Sequence, residues 1–215
     1  MKKIKTVLFL ILLTKISFSQ IIDRYGFNAG ISYSTQFWNP KILFSEMEIG
    51  YKVGLMFFLS SEKCFEFFGL KTEIGYIQKG FSYKHETKSC NGGIVNHQNR
   101  NILLHDLALN ICLKINPIKF DNTPYLLVGF RGDYLMSPKD VDLNMSTTNI
   151  TGNLYGDYIN NFNKYNLGCL LGVGIDFEEM VYIEIEYNPN FTKNLDKNLI
   201  TIRDNCFGIK IGVYI

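Results

Sequence analysis

Beyond its first twenty residues the chain has no apolar run approaching the ~20 residues that a membrane-spanning helix needs, so any crossing of a bilayer falls to strands. A bias toward charge of one sign is also missing. Lysine and arginine number 22 and aspartate and glutamate 20, a near-balance that argues against nucleic acid as a partner. The five cysteines, Cys64, Cys90, Cys112, Cys169 and Cys206, are odd in number and scattered, so no disulfide framework follows. They read as mostly unpaired small fillers, with a link from Cys64 or Cys90 to a partner left open. Tryptophan occurs once, as Trp38.

What is present begins with MKKIKTVLFLILLTKISFSQ. Lys2, Lys3 and Lys5 precede an apolar run from Val7 to Leu13, and the small residues Ser17 and Ser19 stand ahead of Gln20. That order predicts a secretory signal peptide over residues 1–19 and one domain over 20–215. No cysteine stands at the cleavage point, so lipoprotein anchoring is not indicated. Four lysines and no acid leave with the leader, taking the net charge from +2 to −2, 18 bases against 20 acids. The 13 tyrosines and 17 phenylalanines suit strands and the aromatic belts of a membrane interface.

The clearest strand is YNLGCLLGVGIDF, Tyr165 to Phe177. Tyr165, Leu167, Cys169, Leu171, Val173, Ile175 and Phe177 share one face, while Asn166, Gly168, Leu170, Gly172, Gly174 and Asp176 share the other. Thirteen residues at ~3.3 Å each, tilted by ~40°, rise roughly 33 Å, enough to cross hydrocarbon. The same alternation predicts seven more strands, over about 25–34, 47–59, 65–83, 102–114, 124–136, 180–187 and 205–215, with Gly80 as a bend. Between them lie a connection holding Trp38, a turn at 60–63, a polar loop at 84–101 and a turn around Asn116, Pro117 and Asn122. A long loop at 137–163, the pair Glu178 and Glu179, and a loop through Pro189, Lys193 and Asp196 complete the set. Long and short connections thus alternate, as expected if loops face outward and tight turns face the periplasm.

The two faces differ in kind. One is apolar, with no acid or base at mid-strand. The other carries Glu48, Lys52, Lys71, Glu73, Asp106, Lys114, Arg131, Asp133, Asp176, Glu184, Glu186 and Lys210, interspersed with glycine. A soluble barrel would reverse this. Charge inside and apolar side chains outside is the membrane solution, because a charge facing lipid at the midplane costs about 2–4 kcal/mol. The pattern predicts an all-β, eight-stranded, antiparallel, up-and-down transmembrane barrel in the bacterial outer membrane.

Several phrases also resemble a known family. GFNAGISYS, LKTEIGYIQKG with Glu73, PYLLVGFRGDYLM, YNLGCLLGVGIDF and the ending NCFGIKIGVYI are together similar to the PorT-like, or porin-like, outer-membrane β-barrels of Gram-negative bacteria. The resemblance covers nearly all of residues 20–215. Ala108, where the family often has proline, and Ile215, where barrels commonly end in an aromatic, depart from it. The resemblance implies that some relatives assist protein secretion.

An eight-stranded interior is about filled by side chains, so the inward charges are expected to form an ion-paired plug rather than an open pore. A narrow or gated ion path through the same residues is the alternative, with Arg131 and Glu73 as its test positions. A lipid-modifying barrel enzyme is a second alternative, for which His105 and Ser82 are the candidate base and nucleophile. His85, Cys90 and His97 match no established metal spacing, and Asp140, Asp142, Asn144 and Asp157 read as a solvated acidic loop rather than a calcium site. Gly172 and Gly174 open no nucleotide-binding turn. No catalytic, cofactor-binding or metal residue and no cofactor are expected. The predicted role is structural or interactive and not enzymatic. Expected partners are outer-membrane lipid and lipopolysaccharide, the barrel-assembly machinery, and a periplasmic or secretion-system protein.

Overall fold

The structure is a computed structural model describing residues 22–39, 47–88, 94–116, 122–141, 162–178, 180–197 and 200–215. The expected leader, 1–19, lies outside them. Alternating side chains make almost everything described into strand: β1 (Arg24–Asn39), β2 (Met47–Cys64), β3 (Phe68–Lys88), β4 (Ile94–Ile115), β5 (Asn122–Val141), β6 (Tyr165–Phe177), β7 (Val181–Pro189), β8 (Leu195–Lys197) and β9 (Ile200–Tyr214). Each of β1 to β6 pairs antiparallel with the next, β7 pairs with β9, and β9 returns to β1 through fourteen residue pairs from Gly26↔Tyr214 to Asn39↔Thr201. Eight strands therefore close into a barrel. Three-residue β8 adds to β9 beside that ring. Closure leaves no unpaired edge, which is what a chain needs in a medium without water.

β6 coincides with its expected span, and its side chains alternate outward and inward along its length. Elsewhere the strands run longer than alternation of apolar residues signalled. Residues 60–63, expected as a turn, continue β2, pairing Ser60 with Gly26 and Glu62 with Arg24; the turn falls at 65–67, where Phe65 N–H donates to Phe68 O at 2.8 Å. Much of the expected loop at 84–101 is a paired hairpin, with Lys84 opposite Asn99 and Thr87 opposite Asn96. Trp38 and Asn122 lie in β1 and β5 rather than in connections, Met180 lies in a turn rather than in β7, and β5 and β9 extend to Val141 and from Ile200. The reason is the same throughout. Backbone pairing propagates past the lipid-facing band, where polar side chains no longer oppose it.

The expected bend at Gly80 coincides with a bulge in the β2–β3 ladder between Tyr51 and Met56. Side chains fill that gap: Gly80 N–H donates to Ser34 Oγ at 2.7 Å, Ser32 hydroxyl donates to Gln78 O, and Leu55 N–H donates to Gln78 Oε1 at 3.2 Å. Tyr51, at the edge of the bulge, is still exposed like Val53 and Leu55, but Ile49, expected on the lipid face, packs against an inner cluster.

The barrel is apolar outside. Leu55, Leu109, Val128, Leu171, Ile185 and Ile209 are all exposed, and Phe130 is 70% exposed. A continuous apolar surface of this kind belongs in lipid. Cys64, Cys112, Cys169 and Cys206 are free thiols, two of them buried inside; Cys90 lies outside the described residues.

Candidate functional site

Among the described residues, chemistry-bearing side chains converge in the lumen. Inward parity of alternate residues stacks them in tiers. Nearest the short turns, Lys114 Nζ on β4 lies 2.6 Å from Asp176 on β6 and 3.1 Å from Glu62 on β2. The Tyr214 hydroxyl donates to the same Glu62 at 2.6 Å, and Lys114 stands 4.2 Å over the Tyr125 ring.

In the middle tier Glu73 accepts from Lys210 at 2.8 Å, Asn110 at 2.8 Å and Asn28 at 3.0 Å, with Lys71 Nζ at 3.1 Å. Glu184 pairs with Lys71 and accepts from the Tyr125 hydroxyl at 2.7 Å, and Lys210 also reaches Glu184 at 3.1 Å and Glu186 at 2.8 Å. Above it, Arg131 Nε donates to Asp133 at 2.7 Å, Lys79 pairs with Asp133 and lies 3.3 Å from Asp106, and Gln36 donates to Asp204 at 2.8 Å. An apolar cluster crowns the stack: Phe81, Ile102, Leu104, Leu135 and Ile202 from the wall, with Phe162 and Leu195 from the segments flanking the outer loops.

Ten of the twelve charges expected to face inward are buried there. Lys52 is half-buried, and nothing is described of the Glu48 side chain. Three more are buried there: Glu62 and Asp204, which sit beyond the expected strand ends, and Lys79, which immediately precedes the expected bend at Gly80. Each keeps the parity of its strand, as in Phe58, Ser60, Glu62, and that was the available signal. Among the described residues, five buried bases face eight buried acids, an excess of three acidic side chains.

A family model for the outer membrane protein beta-barrel domain matches residues 18–196. The chain belongs to that family. OprG from Pseudomonas aeruginosa is similar in fold, with a TM-score of 0.51 at 12% identity over 90% of this chain and 96% of that one. Neisserial surface protein A matches with a TM-score of 0.47 at 13% identity, over 88% and 96% of the two chains, and Ail of Yersinia pestis with 0.37 at 11%, over 88% and 97%. No curated protein matches the sequence.

This outer-membrane barrel carries aromatic pairs toward its loop end: Tyr33 stacks on Tyr51 at 4.5 Å, Tyr187 on Phe207 at 4.6 Å, and Tyr134 meets Tyr165 at 5.2 Å. Phe65 and Phe68, 4.7 Å apart, mark the turn end. Such girdles sit at the two interfaces of a bilayer. Just outside the strands at the turn end, the Lys63 ammonium, donating at 2.8 Å, and the Cys64 N–H hold the Asp23 carboxyl below its usual range.

His105 does lie on the outer face, but Ser82 is not brought to it. Ser82 pairs with Asn101 and His105 with Gln78, four residues apart along the ladder, or about 13 Å. The Nδ1 of His105 is instead bonded to the Tyr76 hydroxyl. His85 and His97 fall in β3 and β4 with their side chains outside the description, as are Cys90, Asp142, Asn144 and Asp157 and the side chain of Asp140. Among the described residues no group of three His, Cys, Asp or Glu is placed to hold a metal ion. Gly172 and Gly174 lie mid-strand in β6, and Gly174 makes room for the Tyr125 ring.

Proposed function

We propose that this barrel neither catalyses a reaction nor conducts freely, and that it acts as a membrane-anchored scaffold for interaction through its outer connections or at its periplasmic end. The observation that carries this reading is the lumen itself, filled by cross-strand ion pairs and covered at the outer end by Phe162 and Leu195. Each buried pair would be costly to open, since removing one partner leaves a charge uncompensated. A role in protein secretion is the finer form of this proposal, drawn from the PorT-like resemblance of the strand phrases around Glu73, Arg131 and Gly172.

A second reading is a narrow cation path. It is favoured by the acid excess and by buried polar atoms without hydrogen-bond partners among the described residues, including Arg131 Nη1 and Nη2 and both side-chain polar atoms of Asn188, which call for water in the lumen. Planar-bilayer recording of the refolded full chain separates the two. The scaffold reading expects no resolved current steps from the wild-type barrel and none from Glu73→Gln. Stable, cation-selective steps that disappear in Glu73→Gln or Arg131→Gln would replace it with the channel.

A further inference from the structure

Among strand residues whose side chains are described, only two charges have outward parity. Lys63, at the turn end, is paired with Asp23. Arg203, near the loop end of β9, is exposed and has no partner among the described residues. An unpaired arginine is expensive against hydrocarbon but nearly free at the interface, so its position puts it level with lipid headgroups of the outer leaflet.

Its neighbours are of one kind. Across the β1–β9 seam Arg203 is opposite exposed Phe37, with Asn205 opposite Thr35 on one side and Thr201 opposite Asn39 on the other. Asn39 and Asn205 share the outward parity of Arg203, and neither makes a side-chain hydrogen bond among the described residues. The seam thus presents a guanidinium fork between two amides that make no side-chain hydrogen bond among the described residues, flanked by an aromatic ring and standing above an otherwise apolar wall. A guanidinium matches phosphate oxygens two at a time, and amides both donate to and accept from sugar hydroxyls.

We infer that the outer end of the β1–β9 seam binds a phosphorylated glycolipid of the lipopolysaccharide class, with Arg203 on a phosphate and Asn39 and Asn205 on the adjoining sugar. The acyl chains lie along the apolar wall below, past Phe207 and Ile209. A phospholipid would satisfy the arginine but leave the two amides without sugar partners.

The test uses the refolded full chain in detergent, with retained lipid counted by native mass spectrometry. Lipid A, lipid A stripped of its phosphates, and phosphatidylglycerol are titrated against wild type, Arg203→Gln, Asn39→Ala with Asn205→Ala, and Lys63→Gln. Heat-modifiable migration on a gel certifies that each variant is folded. Arg203→Gln is expected to weaken lipid A binding roughly tenfold, in line with loss of a charge-assisted contact. Dephosphorylated lipid A should bind wild type as weakly as lipid A binds that variant, the asparagine pair should lose several-fold, and Lys63→Gln should match wild type. Wild-type affinity in Arg203→Gln, equal binding of phosphatidylglycerol and lipid A, or no saturable lipid A binding by wild type would each overturn the inference.

Discussion

Lys210 Nζ lies 2.8 Å from Glu73 Oε2, tying β9 to β3 across the lumen, and both side chains are at most 1% exposed. Neither strand neighbours the other in the ladder order, so this contact braces the barrel's cross-section rather than its hydrogen-bonded wall. Glu73→Gln or Lys210→Met should each destabilise the barrel by about 3–5 kcal/mol, because each leaves a buried charge without its partner. The double variant should recover more than half of the loss. Urea unfolding of the refolded protein in micelles, followed by circular dichroism, reads all three; equal and additive losses would show that the pair is not coupled.

Closure at the β1–β9 seam depends on Gly30. A Cβ there would overlap the Ile209 carbonyl oxygen, whereas one at Gly132 would meet its nearest neighbour, Leu167 Cδ2, at 3.6 Å. Unheated and boiled samples on a denaturing gel should migrate differently for wild type and Gly132→Ala, since a closed barrel resists detergent. Gly30→Val should lose the shift. A shift retained by Gly30→Val would mean that the seam opens to admit the side chain.

Glu178, in the turn between β6 and β7, has φ of 49°. That left-handed conformation costs an L-residue about 1–2 kcal/mol, which glycine avoids at some loss of unfolded-state entropy. Glu178→Gly is expected to stabilise the barrel by roughly 0.5–1 kcal/mol in the same urea assay. A destabilised variant would show that Glu178 earns its place through its side chain.

Acid sensitivity at the turn end follows from Asp23. With its pKa depressed below 3.8 by the Lys63 and Cys64 hydrogen bonds, its contribution is present above that ordinary value and is lost as pH falls through the folded value. The site is exposed, so the effect is small. Asp23→Asn should remove that part of the decline in urea midpoint between pH 4 and lower values, and leave the midpoint at neutral pH only slightly reduced. An unchanged acid profile would place the sensitivity elsewhere.

How much of this was legible depended on which force set each feature. β6 could be read to the residue because all thirteen of its positions lie where lipid on one side and a crowded lumen on the other enforce strict alternation. Residues 60–63 and 84–101 could not, since outside the hydrocarbon a polar residue is compatible with strand or loop and only the neighbouring strand decides. The bulge beside Tyr51 was illegible for a related reason: a bulge is a property of two strands in register, and nothing in the β2 text alone records that β3 carries one residue fewer there.

The sequence by itself determined the class of solvent on each face, the number of barrel strands and the burial of charge, because those follow from a period of two and from the cost of charge in lipid. Which charges meet was left to the closed barrel. Lys114 reaches Glu62 and Asp176, and Lys210 reaches Glu73, Glu184 and Glu186, only after closure sets the stagger of one strand against the next and fixes which inward residues share a level. The Arg203 seam arises in the same way. Asn39 and Arg203 stand 164 positions apart in the numbering, and they become neighbours because the last strand must pair with the first to leave no edge.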